Sequence, residues 1–182
     1  MGGRYVALLR GINVGRAKRV AMQDLRAVVE DLGFSEVRTL LNSGNVAFGA
    51  PGSSPGNAAE RIEAALAARL GVSSRVTVLA AAELAHALRD NPLAGVASDP
   101  SRLLVAVPAG PADREALLAM AEHDWAPEAL AVGTLVAYLW CPAGVSGGRL
   151  FEAVNRELGD GVTCRNWTTM TRLLGLAQPL GR

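Results

Sequence analysis

Short apolar runs and helix-spaced apolar stripes alternate along this chain in one order, and that order occurs twice. Residues 5–9 (Tyr-Val-Ala-Leu-Leu) form a run apolar enough for a buried strand. Met22, Leu25, Val28, Val29 and Leu32 then recur at helical spacing, with Gly33 placed to end the helix and Phe34 to fold back on Val29. Residues 37–41 and 46–48 read as two more strands around Asn42-Ser43-Gly44-Asn45, which is turn chemistry. Ser54-Pro55 is an N-cap followed by a first-turn proline, and Ile62, Leu66 and Leu70 stripe the helix that Gly71 stops. Residues 76–79 read as a fourth strand. The order βαββαβ is the split βαβ arrangement of ferredoxin-like folds.

A connecting helix over 81–90 is closed by Asn91-Pro92, and the pattern restarts. Residues 103–107 read as a strand, and 113–122 as a helix with Leu117, Leu118 and Ala121 inward. Residues 130–132 and 135–140 flank Gly133-Thr134, which predicts a tight two-residue hairpin turn. Leu150, Phe151, Val154 and Leu158 stripe a helix ending at Gly159. Residues 162–164 suit a short last strand, and Asn166 caps a final helix carrying Met170, Leu173, Leu174 and Ala177. The halves share no residue-level repeat; they share element order. The expected fold is α+β: tandem ferredoxin-like subdomains over 1–80 and 101–182, joined by 81–100, with antiparallel or mixed sheets and helices on one face of each.

Composition narrows the function classes. The 182 residues are 50% hydrophobic, enough for a packed core, and the net charge of +1 excludes a polycation and an acidic disordered tail. No apolar run is long enough for a bilayer span, and 5–9 is too short for a signal peptide. With Cys141 and Cys164 as the two cysteines, neither a zinc site nor a disulfide framework is expected, and two free thiols suit the cytoplasm. No metal or cofactor is expected. His-Glu-x-x-His, Gly-x-Ser-x-Gly, the phosphate-binding P-loop and Gly-x-Gly-x-x-Gly are all missing.

Three segments can carry chemistry. The first follows strand one and runs from Arg10 to Arg19. Residues 1–23 hold Arg4, Arg10, Arg16, Lys18 and Arg19 and no acid, so the rest of the chain carries −4. The helix after this loop has no Ser, Thr, Asp or Asn immediately before Met22. Its first N–H groups are orphaned, with cations near its positive end, and a bound phosphate or carboxylate resolves both costs. A solvated basic loop is the competing reading. The second segment is Asn42–Asn45, where Ser43 and Asn45 offer uncharged donors and acceptors, or simply close a turn on themselves. The third is Thr163 to Thr169. There Arg165 stands beside a helix start, Asn166 is a natural N-cap, Trp167 suits a core anchor, and Cys164 suits a buried inert thiol. His86 reads as structural or surface, and His123-Asp124 as a helix-end pair rather than a catalytic dyad.

The residues also carry a resemblance. Tyr5-Val6-Ala7-Leu8-Leu9-Arg10-Gly11-Ile12-Asn13-Val14-Gly15, Leu32-Gly33-Phe34 and Asn42-Ser43-Gly44-Asn45-Val46-x-Phe48 resemble the opening of the bacterial domain of unknown function 1697. Asn91-Pro92, Pro142-x-Gly144 and Arg165-Asn166-Trp167-x-Thr169 match its later landmarks. Two departures stand out: Arg16 replaces a usual glycine, and Gly148-Arg149 a usual Ser-Lys pair, which keeps the charge and loses a hydroxyl. The resemblance implies two ferredoxin-like subdomains in a cytoplasmic bacterial protein, and no established activity.

The reading that follows is a binding module for a small phosphate- or carboxylate-bearing ligand, held by Arg10, Asn13, Arg16, Lys18, Ser43, Asn45, Arg165 and Asn166. One alternative is an enzyme acting on a small phosphorylated or carboxylated metabolite, with Arg10, Arg165 and Lys18 holding charge and Asn13, Ser43 or Asn45 orienting it. The others are a structural or interaction protein and an RNA binder. The last is disfavoured by 4% aromatic content and the missing RNP pattern. Arg10, Asn13, the 42–45 turn and Arg165-Asn166 are expected to line one cleft between subdomains. Strands one and three are expected to be parallel neighbours, however, which would put Arg10 and the turn at opposite edges.

Overall fold

In the computed structural model, which describes residues 3–16 and 18–178, the strands assemble into two four-stranded sheets. Ala17 of the basic loop lies outside the described residues. The first sheet takes β1 (Arg4–Leu9), β2 (Ser35–Leu40), β3 (Asn45–Gly49) and β4 (Val76–Ala80) in the order β2-β3-β1-β4. The second takes β5 (Leu103–Pro108), β6 (Ala129–Val132), β7 (Ala137–Trp140) and β8 (Val162–Asn166) in the order β6-β7-β5-β8. Every pairing is antiparallel, which decides between the antiparallel and mixed arrangements. By contacts the chain divides into one unit of residues up to Ala85 with those from Arg172 onward, and a second of His86–Thr171. The passages between units lie within α3 (Ala81–Arg89) and α6 (Trp167–Ala177).

In the first unit α1 (Met22–Asp31) and α2 (Pro55–Leu70) cover one sheet face. Leu25 and Val29 of α1 and Ile62 and Leu66 of α2 meet Tyr5, Ala7 and Leu9, the alternate residues of β1, in one buried cluster. These are the stripes and the period-2 alternation the sequence carries. Full burial of each Leu or Ile contributes about 1.5–3 kcal/mol. Helix α2 starts as expected: Ser54 Oγ accepts from the Asn57 N–H at 3.2 Å, with Pro55 in the first turn, and Gly71 ends it in the left-handed conformation.

In the second unit α4 (Pro111–Ala121) and α5 (Arg149–Leu158) pack Leu117, Met120, Leu150 and Val154 against Leu104 and Ala106 of β5. Two local expectations are corrected. Leu118 is exposed, and Met120 takes the inward place because residues three apart from Leu117 share its face. The β6–β7 hairpin is displaced by one residue. The last ladder pair is Val132↔Ala137, and the Gly133 N–H donates to Val136 O at 2.8 Å, so the two residues at the tip are Thr134 and Leu135 rather than Gly133 and Thr134. No helix among the described residues is long and apolar enough to cross a membrane.

Candidate functional site

The loop after β1 is pinned at its start. The Arg10 N–H donates to Arg75 O at 2.9 Å, and Ser74 Oγ donates to Arg10 O at 2.9 Å. Two residues on, Ile12 is buried. Asn13 takes a positive φ of 55°, which Asn tolerates better than most residues, and its N–H donates to Lys18 O at 3.0 Å. Its side chain then fastens both ends of the loop. Oδ1 accepts from the Val20 N–H at 2.9 Å, while Nδ2 donates to Val20 O at 2.8 Å and Asn42 O at 2.7 Å. Both ends of the amide are engaged within the protein. Arg16, Lys18 and Arg19 are exposed, and none is ion-paired among the described residues.

The bond from Asn13 to Asn42 overturns the expectation of opposite edges. β1 and β3 are antiparallel neighbours, with Leu8 opposite Asn45, so the end of one and the start of the other share an edge. The Leu9 N–H donates to Gly44 O at 2.8 Å, and a Cβ on Gly44 would lie 2.7 Å from both Leu9 Cβ and Ile12 Cδ1. With φ at +79°, the position demands glycine on two counts. Asn45 is fully buried; its Nδ2 donates to Leu40 O at 2.8 Å and to Ser43 Oγ at 2.9 Å. Ser43 and Asn45 therefore shape the turn, and the turn holds Asn42 against the loop.

Helix α1 opens beside them. Its N-cap is Ala21, which supplies no side-chain bond, as the sequence predicts. Asp24 lies in the first turn and makes no cap bond either. A pocket of about 400 Å³ is lined by Asn13, Arg19, Val20, Ala21 and Asn42. Of the eight residues expected to hold a ligand only Asn13 lines it; Asn42 was expected there as part of the turn, and Arg19, Val20 and Ala21 were not expected. Asn42 was signalled by its place in the turn and Arg19 by the run of cations.

Arg165 and Asn166 belong to the second unit. Arg165 Nη1 donates to Thr163 Oγ1 at 3.1 Å and to Cys164 O at 2.9 Å. Asn166 Oδ1 accepts from the Thr169 N–H at 2.8 Å and is the expected cap of α6. His86 lies on α3, with Nε2 3.0 Å from Asp90 Oδ2. Cys141 is buried, and its thiol is pushed up to about 11 by burial and, less, by the nearby Glu128 carboxylate. Glu128 Oε2 also accepts from the Leu150 N–H at 3.0 Å, supplying the start of α5 with a cap from outside the helix.

With this geometry in view, the comparisons are specific. The model of a family described as "Protein of unknown function (DUF1697)" matches residues 3–138. The chain belongs to this family. Among solved structures it is similar to the conserved bacterial protein SP0830 from Streptococcus pneumoniae, at 22% identity and a TM-score of 0.82. That match covers 98% of this chain and 100% of the other. At that identity the likeness concerns the fold alone. No curated protein matches the chain. The segments Leu9-Arg10-Gly11-Ile12-Asn13 and Asn42-Ser43-Gly44-Asn45 lie at one hydrogen-bonded edge of the first sheet.

Proposed function

We propose that this DUF1697 protein is a binding module for a small anion, a phosphate or a carboxylate, taken at the start of α1. The observation that carries the reading is the uncapped Ala21 opening onto a pocket walled by Asn13, Arg19 and Asn42. Orphan N–H groups and the helix dipole favour negative charge there. Arg19 lines the pocket, and Arg16 and Lys18 raise the local anion concentration from the same loop. Arg10 anchors the loop through its backbone, and Asn13, Ser43 and Asn45 hold the walls in place. Arg165 and Asn166 belong to the second unit, and the proposal is stated for the residues of the first. The cytoplasmic setting expected from the thiols belongs to the same reading.

The test is thermal denaturation with inorganic phosphate, small phosphate esters and carboxylates. A ligand at 100 times its Kd adds about 2.7 kcal/mol of stability. Arg19→Ala should remove that increment while leaving the ligand-free midpoint close to wild type, because the side chain is exposed. A second reading rests on Asn13, whose amide is fully engaged by Val20 and Asn42: loop and turn then serve packing alone. An unchanged midpoint with every anion favours that structural role over binding.

A further inference from the structure

The second unit carries a larger cleft, about 700 Å³, between the outer faces of α4 and α5. Its floor is made of small apolar side chains, Ala116, Ala119 and Ala153, with Met120. At one end stands Trp125. Its Nε1 donates to Met120 O at 2.7 Å, fixing the ring. The Arg149 guanidinium lies over that ring, 5.3 Å from its centroid, and donates to Asp124 O at 2.9 Å. Along α5 the cleft is lined by Glu152, Arg156 and Glu157, all exposed, and none of the three is ion-paired among the described residues.

We infer that this cleft binds a short peptide with free termini, two or three residues long, whose apolar side chain lies on the alanine floor against Trp125. Three observations converge on that class. The lining has charges of both signs, so a simple anion meets Asp124, Glu152 and Glu157 and a simple cation meets Arg149 and Arg156; a zwitterion satisfies both. The spacing is the second. Glu152 and Arg156 are four residues apart on one helix face, a rise of about 6 Å. A dipeptide in extended form separates its ammonium and carboxylate by about that distance, at roughly 3.3–3.6 Å per residue. The volume is the third, since ligand pockets of about 300–1,000 Å³ enclose molecules larger than one amino acid. Arg156 receives the carboxylate, Glu152 the ammonium, and Trp125 the side chain.

The test is calorimetric titration of the full chain with dipeptides of apolar and polar side chains, each also in N-acetylated and C-amidated form. Free apolar dipeptides should bind in the micromolar to millimolar range, and each cap should weaken binding about tenfold, the worth of one charge-assisted hydrogen bond. In Arg156→Gln the C-terminal amide should bind as well as the free acid. In Glu152→Gln the N-acetyl form should bind as well as the free amine. Both positions are exposed, and an unchanged circular dichroism spectrum confirms folding. Silence across all dipeptides at millimolar concentration overturns the assignment. So does equal affinity for free and capped forms, or binding untouched by either substitution.

Discussion

The two units share element order and strand order but differ at the connection leaving the first strand. In the first unit residues 10–21 separate β1 from α1; in the second only residues 109 and 110 separate β5 from α4. Neither helix start has a side-chain cap bond, and each has an Asp in its first turn, Asp24 in α1 and Asp113 in α4. The short connection enters its helix through Gly110 and a first-turn Pro111, whereas the long one brings four cations and folds back onto the β2–β3 turn. One scaffold thus tolerates both a minimal and an elaborated loop at the same place, and the elaboration is held by specific bonds rather than by apolar bulk. Loops of this kind on a rigid sheet edge are where binding residues concentrate.

The most damaging single change should fall at the junction of loop and turn. Gly44→Ala places a Cβ 2.7 Å from Leu9 and Ile12 in a left-handed backbone, and should cost about 3 kcal/mol. The hairpin glycine of the second unit is the control. Gly133→Ala brings a Cβ to 3.1 Å from Val136 O without a positive φ, and should cost about 1 kcal/mol. Urea midpoints compare them. Equal losses would mean that the first unit's edge is no more constrained than the other hairpin.

Next in size is the side chain that closes the long loop. Asn13→Ala removes three hydrogen bonds and strips partners from Val20 N–H, Val20 O and Asn42 O, an expected loss of about 2 kcal/mol. Hydrogen exchange at Val20 should accelerate more than the drop in global stability explains. The capping Asn of the second unit, Asn166, holds one bond, and Asn166→Ala should cost about 1 kcal/mol. If the two losses are equal, the loop is not fastened as the distances indicate.

Much of this was legible in the sequence, and the failures have physical causes. The helix stripes, the Ser54 and Asn166 caps, the Gly71 stop and the missing cap before Met22 rest on local rules and stand as expected. The direction of β3 against β1 was misjudged. The crossover through α1 leaves β2 running parallel to β1, and β3 turns back from β2 by a hairpin into the place between them, so β3 runs antiparallel to both. That error hid the edge shared by Arg10 and Asn42. Leu118 was misplaced because an apolar pair at adjacent positions cannot say which member faces inward. The pocket wall at Arg19 and Ala21 needs a fold-back of the loop that no spacing rule encodes.

A smaller effect separates the helix starts within the second unit. Glu128→Ala removes the carboxylate that caps α5 at Leu150 and should cost about 1 kcal/mol. It should also lower the pKa of Cys141, since Glu128 helps to hold that thiol protonated. The sign of the wild-type pH dependence follows. The folded thiol titrates at about 11 against an ordinary 9.0, so between those values the unfolded chain has lost a proton that the native state keeps. Stability contributed by the neutral thiol is present below pH 9 and falls as pH rises to 11. Cys141→Ala should flatten that limb; an unchanged limb would mean that other groups produce it.

The finest test converts one helix start into the other kind. Ala21 already has the extended backbone of an N-cap, with φ −68° and ψ 140°, so a capping side chain can be installed without bending the chain. Ala21→Asp should place a carboxylate where Ala21 now offers none, accepting from the N–H groups of the first turn and balancing Arg19. Stability should rise by about 0.5–1 kcal/mol. If the pocket takes an anion, the same substitution should abolish the thermal shift with phosphate, because a resident carboxylate fills and neutralises the site. Ala21→Asn separates the two effects: it caps without charge, and should keep most of the stabilisation while only weakening the phosphate response. A gain in stability with no change in phosphate response would place any anion elsewhere on the loop, and a loss of stability would show that the helix start has a partner that the Ala21 backbone already satisfies.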